Sequence, residues 1–431
     1  MRSSPSNACG QGQPDEPFTL DGAACHQSIA SVRLPRLGQP ARAWANFTAA
    51  YRARPMARRA WVLIPFGFEL SMLRLHIETL HQIVDGFIVV ESKTDIASGA
   101  PKPAHLSEAL RSRTFPRKLA SLILLDVQDD GTKAVHPGCG RWPTKYNYDF
   151  RKCLESWQRF RALELLMNVA SPDDVALLSD TDEIARPEAL TFLKQCYPFG
   201  QNGLEPGMIV LEAKSYTYGL HCRRTATNRR DYPWNHGPHA FSVAYLNRTF
   251  PPAALSSSLR RNGVLDPVER KAALGFSETR YYYTQYSRPL IFNGGWHLSY
   301  WGKPDQLVTK FKTWGHARTF ISDRKQGFIR NGYENASLAP WRIARCAAYC
   351  LEPAAKSCQA LGTPCKWDQF GSQRVPPCAN RSDGQSRPLF GTAWCPSRAD
   401  HAGLVAGRDY PLPLADRSRF ADFFWYAEQY E

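Results

Sequence analysis

Val175-Ala176-Leu177-Leu178-Ser179-Asp180-Thr181-Asp182-Glu183-Ile184-Ala185-Arg186-Pro187 is the stretch whose reading decides the fold. Four apolar residues with no polar partner read as a short strand buried on both faces, the kind found inside a parallel sheet. Ser171-Pro172 breaks whatever precedes it, and Pro187 is suited to the first turn of a following helix. The acidic cluster therefore falls at the carboxyl end of a buried strand. Open α/β sheets place ligands there, because the strand ends and the next helix N-termini form a crevice.

Outward from this point the pattern repeats. Trp61–Ile64 reads as a buried strand, Leu70, Leu73, Ile77 and Leu80 fall at helical spacing, and Phe87–Glu91 is a second apolar strand, which makes a βαβ opening. Leu122–Asp126 is a further strand. Residues 151–170 read as an amphipathic helix with Cys153, Trp157, Phe160, Leu163, Met167 and Ala170 on one face. Beyond the acidic stretch, Met208–Ala213, Tyr281–Tyr286 and Leu290–Asn293 read as strands. A helix is expected from Pro304 with Leu307, Phe311 and Trp314 inward. The expectation is an α/β fold, an open sheet flanked by helices, over residues 59–335. Residues 1–58 read as a flexible stem, 336–398 as a cysteine-rich insertion and 399–431 as a segment packing back on the domain.

The composition bounds the function classes. In 431 residues, Lys and Arg number 54 against 39 Asp and Glu, a net charge of +15, and 43% of residues are hydrophobic. That is a globular composition, not a disordered, collagenous or coiled-coil one. The longest apolar runs are a few residues, against roughly 20 for a membrane span, so no membrane anchor is read in this chain. The arginines are scattered in short pairs such as Arg58-Arg59 and Arg260-Arg261, which favours a generally cationic surface over a nucleic-acid groove.

Twelve cysteines argue for disulfides and an oxidising compartment. Six of them, Cys346, Cys350, Cys358, Cys365, Cys378 and Cys395, lie close together. They read as a disulfide-stapled insertion rather than a zinc site, since only Cys346 and Cys350 have ligand-like spacing. Sequons at Asn46, Asn247, Asn335 and Asn380 point to the same secretory compartment. Residues 1–30 contain Cys9, several polar residues and no apolar core of a signal peptide, so either a trimmed start or an incomplete gene reading is expected.

Asp180-Thr181-Asp182 carries the chemistry. Two carboxylates on one tight turn can hold a hard divalent cation whose other positions go to phosphate oxygens, and that cation would neutralise a diphosphate leaving group. His297, after Gly294-Gly295, is either a third ligand as neutral imidazole or a core histidine bonded to backbone. The glycines would let backbone approach a ligand closely. Glu91, at a strand end, either faces a nucleoside or caps a neighbouring loop. Trp296, Tyr300 and Trp301 either stack on sugar rings or pack. Transfer of a group onto a hydroxyl needs a base to take the hydroxyl proton. Glu183, Asp231, Glu278 and Asp305 are all available, and the sequence does not choose among them; Glu183 and Asp305 are the candidates put forward.

The segment Phe87-Ile88-Val89-Val90-Glu91-Ser92-Lys93-Thr94 with Gly99-Ala100-Pro101-Lys102-Pro103 resembles the opening of glycosyltransferase family 17. Glu155-Ser156-Trp157-Gln158-Arg159, Leu178 to Ile184 and Gly295-Trp296-His297-Leu298-Ser299 are similar to three further family segments, in the same order. Lys310 and His316 match a Lys and His pattern downstream. The likeness covers about residues 60–320. It departs at Leu298, where the family has cysteine, at Ser71, where it has Asp, at His76, where it has Arg, and over 221–280.

The resemblance implies a GT-A fold, a UDP-GlcNAc donor, Mn2+ or Mg2+, inversion at the anomeric carbon and a glycan acceptor on a glycoprotein. It implies a metal at Asp180, Asp182 and His297. Donor contacts would come from Glu91, Lys102, Arg159, Trp296, Lys310 and His316. Lys310 and His316 lie six apart and cannot share one narrow helix face, so one would reach phosphate and the other be solvated. The rival expectations are another donor or acceptor on this scaffold, a silent glycan-binding protein, and, third, a nucleic-acid binder.

Overall fold

Parallel strands buried on both faces must be nearly continuous in apolar residues, and the centre of this molecule is built that way. In the computed structural model, residues 57–96, 101–128, 150–196, 207–217, 237–251, 290–299 and 410–420 are described, with 32–33, 223–224, 233–234, 276, 301–302, 306, 309–310, 393–394, 406 and 423. The strands are β1 (Val32–Arg33), β2 (Ala60–Phe66), β3 (Gly86–Ser92), β4 (Ile123–Gln128), β5 (Val175–Leu178) and β6 (Glu183–Ala185). They continue with β7 (Met208–Thr217), β8 (Arg223–Arg224), β9 (Pro233–Trp234), β10 (His239–Ser242), β11 (Leu290–Ser299) and β12 (Ala393–Trp394). The helices are α1 (Leu70–Leu80), α2 (His105–Arg111), α3 (Arg117–Ala120), α4 (Phe150–Val169), α5 (Pro187–Gln195) and α6 (Val243–Thr249).

The main path of the sheet runs β1-β11-β7-β10-β5-β2-β3-β4, with β6 added on β11. Strands β4, β3, β2 and β5 are mutually parallel. β10 runs antiparallel to both β5 and β7, and β11 is parallel to β7. The carboxyl ends of β2, β3, β4, β5, β7 and β11 therefore share one edge of the sheet. From β2 the chain proceeds outward through β3 and β4, then returns to place β5 on the other side of β2. That reversal of strand order opens a crevice between the ends of β2 and β5.

Alternate side chains enter two cores. Val62, Ile64, Phe87, Val89, Val175 and Leu177 join Leu73, Ile77 and Leu80 of α1 and Leu190 and Leu193 of α5 on one face. Leu63, Ile88, Val90, Ala176 and Leu178 meet Trp157, Phe160, Leu163 and Leu166 of α4 and Val243 and Leu246 of α6 on the other. The α4 stripe is wider than the spacing predicts: Ser156, Gln158 and Arg159 are buried too, while Met167 and Ala170 are only half-buried. The expected strand at 122–126 starts one residue later and runs to Gln128, and β11 continues six residues past Asn293. The expected strand 281–286 lies outside the described residues, as does all but a few residues of the helix expected from Pro304.

Near the carboxyl terminus, Phe420 and Phe423 are buried. Phe420 lies under the Arg74 guanidinium, Arg419 pairs with Glu78 of α1 at 3.1 Å, and Phe423 packs edge-on against Trp301 at 5.7 Å. Cys196, at the end of α5, is buried and disulfide-bonded. The cysteines of 346–395 lie outside the described residues. Among the described residues no helix is long and apolar enough to cross a membrane.

Candidate active site

The turn Asp180-Thr181-Asp182 joins β5 to β6 and sits on the crevice edge. Its shape is fixed from within. Glu183 N–H donates to Asp180 O at 3.0 Å, Asp180 N–H donates to Glu183 Oε2 at 3.1 Å, and Ser179 Oγ donates to Glu183 O. It is also fixed from outside: Thr181 Oγ1 donates to Pro65 O of β2 at 3.4 Å and Leu298 N–H to Asp182 O at 2.8 Å. His76 Nδ1 lies 3.1 Å from Thr181 O. A carbonyl only accepts, so Nδ1 carries the proton there.

Both carboxylates of the turn are paired with protein cations. Asp180 Oδ1 accepts from Arg159 at 2.8 Å, and the same guanidinium nitrogen holds Glu155 at 2.6 Å. Arg159 is 1% exposed against 33% for Asp180, so the cation is the buried partner and the carboxylate faces outward. Asp182 Oδ2 lies 2.8 Å from Lys310 Nζ, which also reaches Glu69 Oε1 at 2.9 Å, and 3.9 Å from His297 Nε2. Burial would raise the Asp182 pKa, but Lys310 and then His297 outweigh it and hold the carboxyl below its usual range. For Glu69 burial prevails and, helped by repulsion from Asp182, pushes its pKa up despite the same ammonium. Burial works against the Lys310 ammonium, yet Asp182 and Glu69 together raise its pKa, so it stays charged.

The sequence candidates divide cleanly. Asp180, Asp182, Arg159, Lys310 and His297 come together at the crevice. Trp296 does not: it is fully buried in β11, with the Arg186 guanidinium stacked 4.4 Å from its ring centre, so it packs and cannot stack on a sugar. Trp301 is buried against Phe423, and Tyr300 lies outside the described residues. Gly294 and Gly295 make room for protein, not ligand. A Cβ on Gly295 would lie 2.7 Å from Ile184 O, and one on Gly294 3.0 Å from Leu211 Cβ.

Glu183 is 1% exposed with one oxygen bonded to Asp180 N–H, which makes it a residue that shapes the turn and not a base open to an acceptor. Asp305, Asp231, Glu278 and His316 lie outside the described residues. Glu91 settles on capping: Oε1 accepts from Leu106 N–H at 3.0 Å and Oε2 from Ser107 N–H at 3.1 Å, at the positive end of α2. Lys102 Nζ donates to Gly67 O at 3.0 Å and ties down the loop after β2.

Glu91→Gln exchanges one of these acceptors for an amide donor facing an N–H. Unfolding free energy should fall by about 1–3 kcal/mol in urea melts, with nucleotide affinity unchanged. Weakened nucleotide binding at unaltered stability would restore Glu91 to the ligand.

Sequence reasoning missed Glu69, Glu155, His76 and Ser215, whose Oγ lies 3.5 Å from His297 Nδ1. Glu69 had a signal, an acid just past the apolar strand β2 on the ligand edge. Glu155 sits one helical turn before Arg159. His76 marks a departure from the family pattern, and nothing in its neighbours reveals that it lies under the turn.

Burial lowers the His76 pKa from 6.5 to about 4, against the bond to Thr181 O and the Asp182 charge. The unfolded chain therefore takes up this proton first. The histidine's contribution is intact above about pH 6.5 and is lost as pH falls toward 4, up to about 1.4 kcal/mol per pH unit. His76→Gln keeps a donor for Thr181 O and does not titrate. Between pH 7 and pH 5 the wild type should lose about 2 kcal/mol more stability than this variant in urea unfolding; parallel profiles would contradict the assignment.

The divalent ion implied by the resemblance can be tested on donor chemistry. Two carboxylates on one turn, with an imidazole nearby, are oxygen and nitrogen donors that suit Mn2+ or Mg2+. Among the described residues no group of three His, Cys, Asp or Glu side chains is gathered to hold an ion. Asp180, Asp182 and His297 are thus not gathered as a three-ligand set, and the two carboxylates would hold such an ion only with phosphate and water in its other positions.

The family model of glycosyltransferase family 17 matches residues 44–231. These residues include β2 to β5, α4 and the acidic turn, and the chain is a glycosyltransferase. Over these residues the chain is similar to glycosyltransferase family 17. No curated protein sequence matches. Among solved structures, the crystal structure of 4-diphosphocytidyl-2C-methyl-D-erythritol synthase is similar over 56% of this chain and 90% of its own, at 15% identity and a TM-score of 0.27.

Proposed function

We propose that this glycosyltransferase moves N-acetylglucosamine from UDP-GlcNAc to a mannose of an N-glycan on a glycoprotein, with inversion, on a GT-A-type sheet. The observation that carries the reading is the Asp180-Thr181-Asp182 turn at the switch between β2 and β5, with the Asp180 carboxylate a third exposed, inside the segment that matches the family. When bound there, Mn2+ or Mg2+ would supply Lewis-acid stabilisation of the diphosphate leaving group. Arg159 and Glu183 hold Asp180 in place, His76 and Leu298 hold the backbone of the turn, and Lys310 offers a second cation. The donor and acceptor rest on the sequence resemblance.

A secretory location, in the Golgi lumen, is supported by twelve cysteines, by the disulfide at Cys196 and by the sequon at Asn247, which is exposed on α6. The reading is tested by titrating the full chain with a panel of nucleotide sugars, with Mn2+ and with EDTA. UDP-GlcNAc should bind most tightly and only with the metal. Preference for another sugar would keep the scaffold and change the donor; binding of none would leave a glycan-binding protein.

A further inference from the structure

Lys310 is 11% exposed and reaches carboxylates from two different strand ends, Glu69 beyond β2 and Asp182 beyond β5, across the reversal of strand order. The ammonium thus bridges the two strand ends, on the oxygen of Asp182 that also lies 3.9 Å from His297 Nε2. Arg159 cannot do the same for Asp180, because at 1% exposure it is fixed in α4 by Glu155 as well. Of these two cations paired with the acidic turn, Arg159 is locked in α4 and Lys310 bridges two strand ends.

We propose that Lys310 occupies, in the ligand-free enzyme, the position beside Asp182 that the divalent ion takes with the donor, and that its ammonium passes to the donor diphosphate as the ion arrives. The inference rests on the donor and metal site proposed above. Its physical basis is competition. An ammonium and a divalent ion cannot share Asp182 Oδ2 without strong mutual repulsion, which is little screened at a buried site. Displacing Lys310 from Asp182 with the ion alone leaves a poorly solvated positive charge, held by Glu69 at 2.9 Å, beside a second one. A diphosphate resolves this by bringing negative charge for both. Ion and nucleotide therefore bind as a coupled pair, and the coupling is reciprocal. Lys310 also keeps Asp182 from capturing stray cations in the absence of nucleotide.

The test is Mn2+ affinity of the full chain, read as free Mn2+ by electron paramagnetic resonance, alone and with UDP or inorganic diphosphate. In the wild type either anion should raise Mn2+ affinity by about tenfold or more. In Lys310→Gln, Mn2+ alone should bind about tenfold more tightly than to the wild type, and UDP should add less; Lys310→Arg, which keeps the cation, should behave as the wild type does. Unchanged or weaker binding of Mn2+ alone to Lys310→Gln would overturn the exchange and reduce Lys310 to a tether. If that variant does not fold, wild-type Mn2+ affinity that is indifferent to UDP and diphosphate overturns it equally. Asp182→Asn separates the two levels. Lost Mn2+ binding there upholds the metal site whatever Lys310→Gln does, and retained binding removes the site and the exchange with it.

Discussion

Asp182→Asn is expected to abolish metal-dependent UDP binding and to lower kcat by about 10²–10³-fold, the order of several kcal/mol of leaving-group stabilisation. The fold should survive. The amide oxygen can still accept from Lys310, Glu69 still neutralises that ammonium at 2.9 Å, and the turn is held by backbone bonds from Glu183 and Leu298 that do not involve the lost charge. Calorimetric titration with UDP in Mn2+ and in EDTA, beside a thermal melt, checks both halves. Undiminished Mn2+-dependent affinity would remove Asp182 from the metal.

The second large effect is at Arg159. Arg159→Met removes the cation shared by Asp180 and Glu155, both on the crevice side of α4, and leaves the two carboxylates facing each other with no counter-charge from that nitrogen. Breaking a buried pair by deleting one partner costs about 3–5 kcal/mol, because the surviving charge stays desolvated. Asp180 is a third exposed, so screening places the expected loss of unfolding free energy at the lower end, about 3 kcal/mol. Activity should fall with it, since Asp180 loses the bond that fixes its rotamer. Arg159→Lys should recover only part of either, as one ammonium does not reproduce the planar fork. Chemical denaturation with parallel kcat measurement tests this, and a loss under about 1 kcal/mol would show the pair to be dispensable.

The parallel half of the sheet was legible because its strands are buried on both faces and read as apolar runs. Phe87–Val90 and Val175–Leu178 needed no partner to identify them. β10 and β6 were not legible: His239–Ser242 contains a histidine and a serine, and Glu183–Ala185 is too short for any periodicity, so pairing with β5, β7 and β11 makes them strands. At the site, Asp180 and Asp182 could be read from position alone, since the end of a buried strand is where the fold opens. Trp296 and Glu91 misled in opposite ways. An indole beside a candidate ligand looks like a sugar platform until Arg186 covers it, and a carboxylate at a strand end looks exposed until α2 docks its N-terminus on it. Both depend on contacts between segments far apart in sequence, which spacing does not encode.

The most direct measurement of the central claim, that the turn after β5 is the donor site of this glycosyltransferase, is transfer itself. The full chain is incubated with UDP-GlcNAc, Mn2+ and a panel of N-glycans, and the product is read by mass spectrometry and by the anomeric proton coupling of the new linkage. The account predicts one added N-acetylhexosamine in a β linkage on a mannose, abolished by EDTA and by Asp182→Asn. Transfer that persists undiminished in Asp182→Asn would contradict it.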